Sequence, residues 1–189
     1  MKINANLLRG GMVIEHEGKQ WSVIKHAIVQ PGKGGAFIQV EMRDIASGTK
    51  SQARWRTADS VERLEVREID CQYLYKEGDM YTFTDKSTYD QFSINGDLLE
   101  ERAAFLTDNM DVSVDFIEGK PVSVTLPKSV VLTVTEADPV VKGQTAASSY
   151  KPAILENGVR VMVPPFIPAG ETIVVDTSTL EYIERAKAS

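Results

Sequence analysis

Residue pairs that reverse a chain recur along this sequence, and the segments they separate are short and alternate apolar with polar side chains. Glu17-Gly18 joins segments at about residues 12–16 and 19–25, and Glu77-Gly78-Asp79 joins about 71–76 and 80–85. Asn157-Gly158 gives a two-residue hairpin signal ahead of Val159, Val161 and Val163. A period of two puts successive side chains on opposite faces of an extended chain, so each segment reads as a half-buried β-strand. Many short strands with closely spaced turns are the pattern of small barrels or sandwiches, and the fold class is all-β. One helix is predicted, from Asp97 to about Leu106. The aspartate can cap its start, and Leu98, Leu99, Ala103 and Leu106 give it one apolar side with which to cap or plug a barrel.

No low-complexity linker divides the 189 residues, so domain boundaries come from breaks in the pattern. Breaks near Val61 to Glu65 and near Pro127-Lys128 predict three consecutive units, residues 1–64, 65–128 and 129–189. Units this small bury too little surface to be very stable alone and are expected to lean on one another. Charge separates the first from the others. Residues 1–63 hold ten Lys or Arg against six Asp or Glu, a net of +4, whereas the remaining 126 carry a net of −10. Phosphate binding needs local rather than global positive charge, so this asymmetry directs nucleic-acid contact to the first unit. The single cysteine, Cys71, excludes an intrachain disulfide framework, suits a reducing compartment, and reads as a small apolar strand residue. The N-terminus MKINANLLRG lacks the apolar run of a signal peptide, and nothing approaches the roughly 20 apolar residues that span a bilayer. No membrane contact is expected, and a cytoplasmic location is.

Within the basic unit, Val29-Gln30-Pro31-Gly32-Lys33-Gly34-Gly35-Ala36-Phe37 joins two strands. Pro31 fixes φ on the way into the turn; Gly32, Gly34 and Gly35 permit positive φ and remove bulk that would keep another molecule from the backbone. The strand that follows places Ile38, Val40 and Met42 on one face and Gln39, Glu41 and Arg43 on the other, so the turn stands on a half-buried hairpin. Lys33 is thereby presented outward. A turn lysine that only solubilises the loop has this appearance; the sharper reading is a cation delivered to an anionic partner, most simply a phosphate backbone. The GxxxxGK[ST] spacing of a nucleotide-cradling loop is missing, because Gly34 follows Lys33 and no helix pattern begins there.

Patterns of conventional catalysis are missing too. His16, His26 and Cys71 make no recognisable zinc set, there is no GxSxG elbow or HExxH helix, and Glu100-Glu101 reads as a solvated face. No metal, no cofactor and no enzyme activity are expected. Trp21, Trp55, Phe37 and Phe83 have the chemistry to stack on bases, yet in small barrels such rings more often fill the core.

The run PGKGGAF at residues 31–37 resembles the tip loop of the bacterial elongation factor P family. The likeness continues in order through Arg9-Gly10-Gly11, Thr57-Ala58-Asp59-Ser60, Tyr73-Leu74-Tyr75 with Gly78, and Pro121-Val122-Ser123-Val124. Beyond these come Asp138-Pro139 with Lys142-Gly143, Lys151-Pro152-Ala153, and Glu181-Tyr182 with Arg185. The resemblance implies an SH3-like (KOW-like) N-terminal barrel followed by two OB-fold barrels in an elongated L resembling tRNA. It implies a factor that binds the 70S ribosome between the peptidyl-tRNA and exit sites and stimulates peptide-bond formation at consecutive prolines. Peptidyl-tRNA and ribosomal RNA are the implied partners, an enzyme that modifies Lys33 is a further one, and the chain is expected to be a monomer. Lys33 matches the tip residue that reaches the CCA end of peptidyl-tRNA, with Pro31, Gly32, Gly34 and Gly35 shaping the loop. Arg9, Lys25, Arg43, Arg54 and Arg56 are candidate phosphate contacts of the basic unit, and Tyr182 and Arg185 match positions that face the small subunit.

Two stretches depart from the family pattern. Many members carry a glycine-rich GTGG before the third unit's Lys-Pro, a loop implicated in sensing the exit-site codon; here Ala147-Ser148-Ser149-Tyr150 precedes Lys151-Pro152. That stretch is bulkier and less free at positive φ, so a codon-side contact would have to be made differently. Val140 follows Asp138-Pro139 where glycine is frequent. Lysine at the tip excludes the subfamily with arginine there. An elongation factor P-like paralogue shares the implied fold, and a general OB-fold single-strand nucleic-acid-binding protein is the alternative from another class. The latter calls for basic, aromatic-rich OB surfaces, whereas residues 64–189 are acidic.

Overall fold

The computed structural model describes residues 1–140 and 149–187, and these are all-β apart from short 3₁₀ segments. In the first sheet are β1 (Lys2–Asn4), β2 (Val13–His16), β3 (Lys19–Val29), β4 (Phe37–Asp44), β5 (Lys50–Arg56) and β6 (Ser60–Leu64), ordered β1-β6-β2-β3-β4-β5. The predicted alternation along β4 is realised, since Ile38, Val40 and Met42 are buried against Leu8, Ile14, Trp21 and Val23. Trp21 is core, its indole N–H donating to the His16 carbonyl at 3.1 Å.

One irregularity in this sheet bears on the candidate site. The β3–β4 register shifts between Val23 and Lys25, leaving Ile24 as an extra residue, a β-bulge. Val23 pairs with Met42 on the core side, and after the bulge Lys25 pairs with Glu41 on the outer side. Unbroken alternation would have turned Lys25 inward. Gly10 sits against this bulge: a Cβ there would stand 2.8 Å from the Ile24 carbonyl oxygen. Gly11 has φ of +94° and donates its N–H to the Val23 carbonyl at 2.9 Å. The Arg9-Gly10-Gly11 stretch therefore has a packing reason at one glycine and a conformational reason at the next.

A second sheet, β11-β10-β7-β8-β9, is built from β7 (Val66–Glu77), β8 (Met80–Asp85), β9 (Gln91–Asn95), β10 (Asp111–Ile117) and β11 (Lys120–Thr125). The third has the order β14-β13-β12-β15-β16, from β12 (Ser129–Ala137), β13 (Lys151–Leu155), β14 (Arg160–Val163), β15 (Thr172–Asp176) and β16 (Tyr182–Arg185). The chain gathers into two compact units. The first takes Met1–Glu68 with Asp115–Val122, the tip of the β10–β11 hairpin, and the second takes Ile69–Val114 with the residues from Ser123 onward. Ile117 at that tip is buried with Val13 and Leu64 of the first unit. Phe83 and Cys71 are fully buried in the second, and burial pushes the Cys71 thiol up to about 11, which leaves it inert as a nucleophile.

The turns follow their residues. Glu17 and Gly18 both adopt positive φ, +52° and +76°, as a type I′ hairpin turn requires. In Gly78-Asp79 only the glycine does, at +59°, the II′ arrangement. Asn157-Gly158 departs from the two-residue expectation. The Gly158 N–H donates to Leu155, Gly158 takes φ of +85°, and Val159 still belongs to the loop, which spans 156–159. The Asn157 side chain explains the longer turn: it accepts from the Val159 N–H at 3.2 Å and donates to the Ala104 carbonyl at 3.1 Å.

The predicted helix from Asp97 to Leu106 is corrected to two 3₁₀ segments, Gly96–Leu98 and Glu100–Phe105. Glu100 has φ of +53°, which interrupts any continuous helix. The cap is Asn95, whose side chain accepts from the Asp97 N–H at 2.9 Å. Leu99 and Phe105 are buried, and the Arg102 guanidinium donates to the Val124 carbonyl of β11 at 2.7 Å, so the segment is stapled to its sheet.

Candidate nucleic-acid interface

Strands β3 and β4 pair from Trp21 with Asp44 to Val29 with Phe37, and the chain between Val29 and Phe37 projects beyond that last pair. Pro31, Gly32, Lys33, Gly34 and Gly35 are all exposed. Of the three glycines only Gly34 uses its freedom, with φ of +103°; at Gly32 and Gly35 an added Cβ would meet nothing within 4 Å, so what these two contribute is low bulk. Among the described residues, the Lys33 ammonium makes no hydrogen bond and no ion pair. Every donor of that group faces solvent, free for a partner outside the chain.

The hairpin below the loop carries a charged outer face. Across β3, β4 and β5 the register aligns Val29, Phe37 and Arg56 in one row, Ala27, Gln39 and Arg54 in the next, then Lys25, Glu41 and Gln52, then Ser22, Arg43 and Lys50. Lys25, Arg43, Arg54 and Arg56 are thus brought onto one face, and the structure adds Lys50, which the sequence reading did not single out although counting the register from Arg43 finds it. Glu41 is the acid among them, and it pairs with Lys25 at 3.2 Å. The guanidiniums of Arg43, Arg54 and Arg56 make no hydrogen bond or ion pair among the described residues, and Arg54 lies over the Phe37 ring, 4.2 Å from its centroid. Arg9 is exposed but partly engaged, donating to the Asn6 and Leu8 carbonyls at 2.8 and 2.7 Å.

The third-sheet candidates have different surroundings. Arg185 is exposed, yet its Nε and Nη2 meet both oxygens of Glu171, and its guanidinium lies 4.8 Å from the Phe166 ring centroid. Tyr182 is half-buried, edge-on to Tyr150 at 6.5 Å, and burial raises its hydroxyl while the Arg185 charge opposes that shift. The sequence reading missed Glu171 and Phe166, which lie far from Arg185 along the chain and carry no local signal. Of the departing loop, Ser149 and Tyr150 are exposed, while Ala147 and Ser148, like Lys142-Gly143, lie outside the described residues.

Three family models match in succession and cover most of the chain: "Elongation factor P (EF-P) KOW-like domain" at residues 4–61, "Elongation factor P (EF-P) OB domain" at 66–124, and "Elongation factor P, C-terminal" at 130–185. The chain belongs to the elongation factor P family. An elongation factor P of Rhodospirillum rubrum is 64% identical over 99% of this chain and 100% of its own length. That of Paramagnetospirillum magneticum is 56% identical with the same coverage. Among solved structures, eukaryotic translation initiation factor 5A from Methanococcus jannaschii superimposes with a TM-score of 0.59 at 23% identity, over 67% of this chain and 92% of that one. A translation initiation factor of the same family from Naegleria fowleri gives 0.53 at 18%. These likenesses concern the fold. The family is one of translation factors with a KOW-like domain followed by OB domains, the architecture expected from the resemblance. No helix among the described residues of this elongation factor P relative is long and apolar enough to cross a membrane.

Proposed function

We propose that this protein binds the 70S ribosome beside peptidyl-tRNA, between the peptidyl-tRNA and exit sites, and stimulates peptide-bond formation where consecutive prolines stall it. The single observation that carries this reading is an exposed Lys33 ammonium, unpaired among the described residues, on a loop of low bulk above a β3–β5 face with five cations and one acid. Such a surface suits ribosomal RNA and the CCA end of peptidyl-tRNA, because phosphate contact rewards local positive charge even on an acidic chain.

The chain need contribute no bond-making group. Proline is a conformationally restricted reactant, and an amine that restrains the peptidyl-tRNA end lowers the barrier through orientation, where small misplacements change rates by roughly 10²-fold. The ribosome supplies the chemistry and this protein supplies position. It acts in the cytoplasm as a monomer, and an enzyme that extends the Lys33 amine is a further partner.

Reconstituted translation of a message with consecutive proline codons, with and without the protein, tests this. The protein is expected to relieve the pause there and to leave a proline-free message unchanged; equal rates on the proline message would overturn the reading. Lys33→Arg keeps charge but cannot accept the same extension, so its failure with the modified protein as reference would mean that charge alone is insufficient.

A further inference from the structure

We infer that Phe37 is a positioning residue: its ring, at the foot of the tip loop, holds the Arg54 guanidinium as a preordered fork for an RNA phosphate. The inference rests on the proposed RNA contact of the β3–β5 face. Phe37 opens β4, is half-buried, and occupies the outer row beside Val29 and Arg56, one row from Arg54. The Arg54 carbon Cζ lies 4.2 Å from the ring centroid, within the range of a cation–π contact.

Two features separate this arrangement from an ordinary surface contact. Arg54 makes no hydrogen bond or ion pair among the described residues, so the ring restrains the position of the guanidinium while consuming none of its five N–H donors. The neighbouring acid, Glu41, is occupied by Lys25 at 3.2 Å, which keeps the fork from being neutralised within the face. A guanidinium held in place over a ring and unpaired among the described residues suits two parallel bonds to one phosphate, whereas a lysine on the same strand would present a mobile point charge. Arg185 is the counter-example in the same chain, because its stack on Phe166 is accompanied by a carboxylate that takes two of its nitrogens.

The test is a double-mutant cycle on binding to ribosomes carrying a prolyl peptidyl-tRNA, measured across a potassium chloride series with melting curves for each variant. Phe37→Leu is expected to weaken binding about two- to five-fold, the range of an exposed cation–π contact. Arg54→Ala should weaken it further and flatten the salt dependence by about one phosphate contact, with Arg54→Lys closer to Arg54→Ala than to the native protein. In the Arg54→Ala background Phe37→Leu should cost nothing more, and Phe37→Tyr should restore the coupling that leucine loses. Equal, additive losses from Phe37→Leu in both backgrounds would overturn the positioning role while leaving the RNA face intact. Native affinity in Arg54→Ala would instead remove the RNA contact of Arg54, and with it this inference.

Discussion

Lys33 and Arg185 are both exposed cations at family-matched positions, and the chain treats them oppositely. Around Lys33 it places proline and glycine and no acidic side chain, and the ammonium makes no hydrogen bond or ion pair among the described residues. Around Arg185 it places Glu171 and Phe166, which tie the last strand β16 to the segment before β15. Exposure alone does not make a binding residue. The informative quantity is how many of a cation's donors the fold leaves unspent: among the described residues Lys33 keeps all of its donors, whereas Arg185 has committed Nε and Nη2 to Glu171.

The largest effect is expected at the tip. Lys33→Ala should abolish relief of polyproline stalling in reconstituted translation while leaving the melting temperature unchanged, because no internal contact is lost. A fall in melting temperature would mean that the loop lysine has a structural task after all. Next in size is Gly10→Ala, which leaves the tip untouched but drives a methyl against the Ile24 carbonyl at 2.8 Å. Overpacking against backbone costs about 1–3 kcal/mol, so thermal or urea denaturation should show a clear loss of stability, with the outer-face position of Lys25 disturbed as the bulge shifts.

Smaller effects are expected at the closed cluster. Glu171→Gln and Arg185→Ala should each lower stability by about 1 kcal/mol or less, as half-exposed ion pairs do, and the double variant should be little worse than either single one. Additive losses would show that the two side chains act apart. The turn that leads into β16 offers a pH probe. The Asp176 carboxylate accepts from the Ser178 hydroxyl at 2.7 Å and from the Ser178 and Thr179 N–H groups at 2.8 and 3.0 Å. These bonds hold its pKa down at about 2. A carboxyl depressed in the folded state stabilises it above the unfolded value of about 4 and loses that contribution as pH falls toward 2. Acid unfolding of the native protein should therefore steepen in that window, and Asp176→Asn should remove this part of the slope.

The sequence made much of this legible because alternation and turn chemistry are local. Ile38, Val40 and Met42 report their burial directly, and Glu17-Gly18 and Gly78 report turns that need positive φ. Legibility fails where a distant partner decides. Nothing near Asp97 shows that Glu100 takes a left-handed conformation and breaks the helix, and nothing near Asn157 shows that its amide reaches Ala104. Ile24 reads as one more apolar strand residue, yet as the bulge it turns Lys25 outward. Arg185 likewise carries no sign in its neighbourhood that Glu171 and Phe166 have engaged it. Lys33 was readable as exposed for the converse reason: the residues that keep it free are its own sequence neighbours.

Competitive labelling of lysine amines, read by mass spectrometry on the free protein and on its complex with ribosomes carrying peptidyl-tRNA, tests most directly whether that free amine is the functional contact. Lys33 should be among the fastest-labelled residues in the free protein and strongly protected in the complex, with any native extension visible as a mass shift at the same residue. Labelling of Lys33 at an unchanged rate under saturating ribosomes would contradict the account.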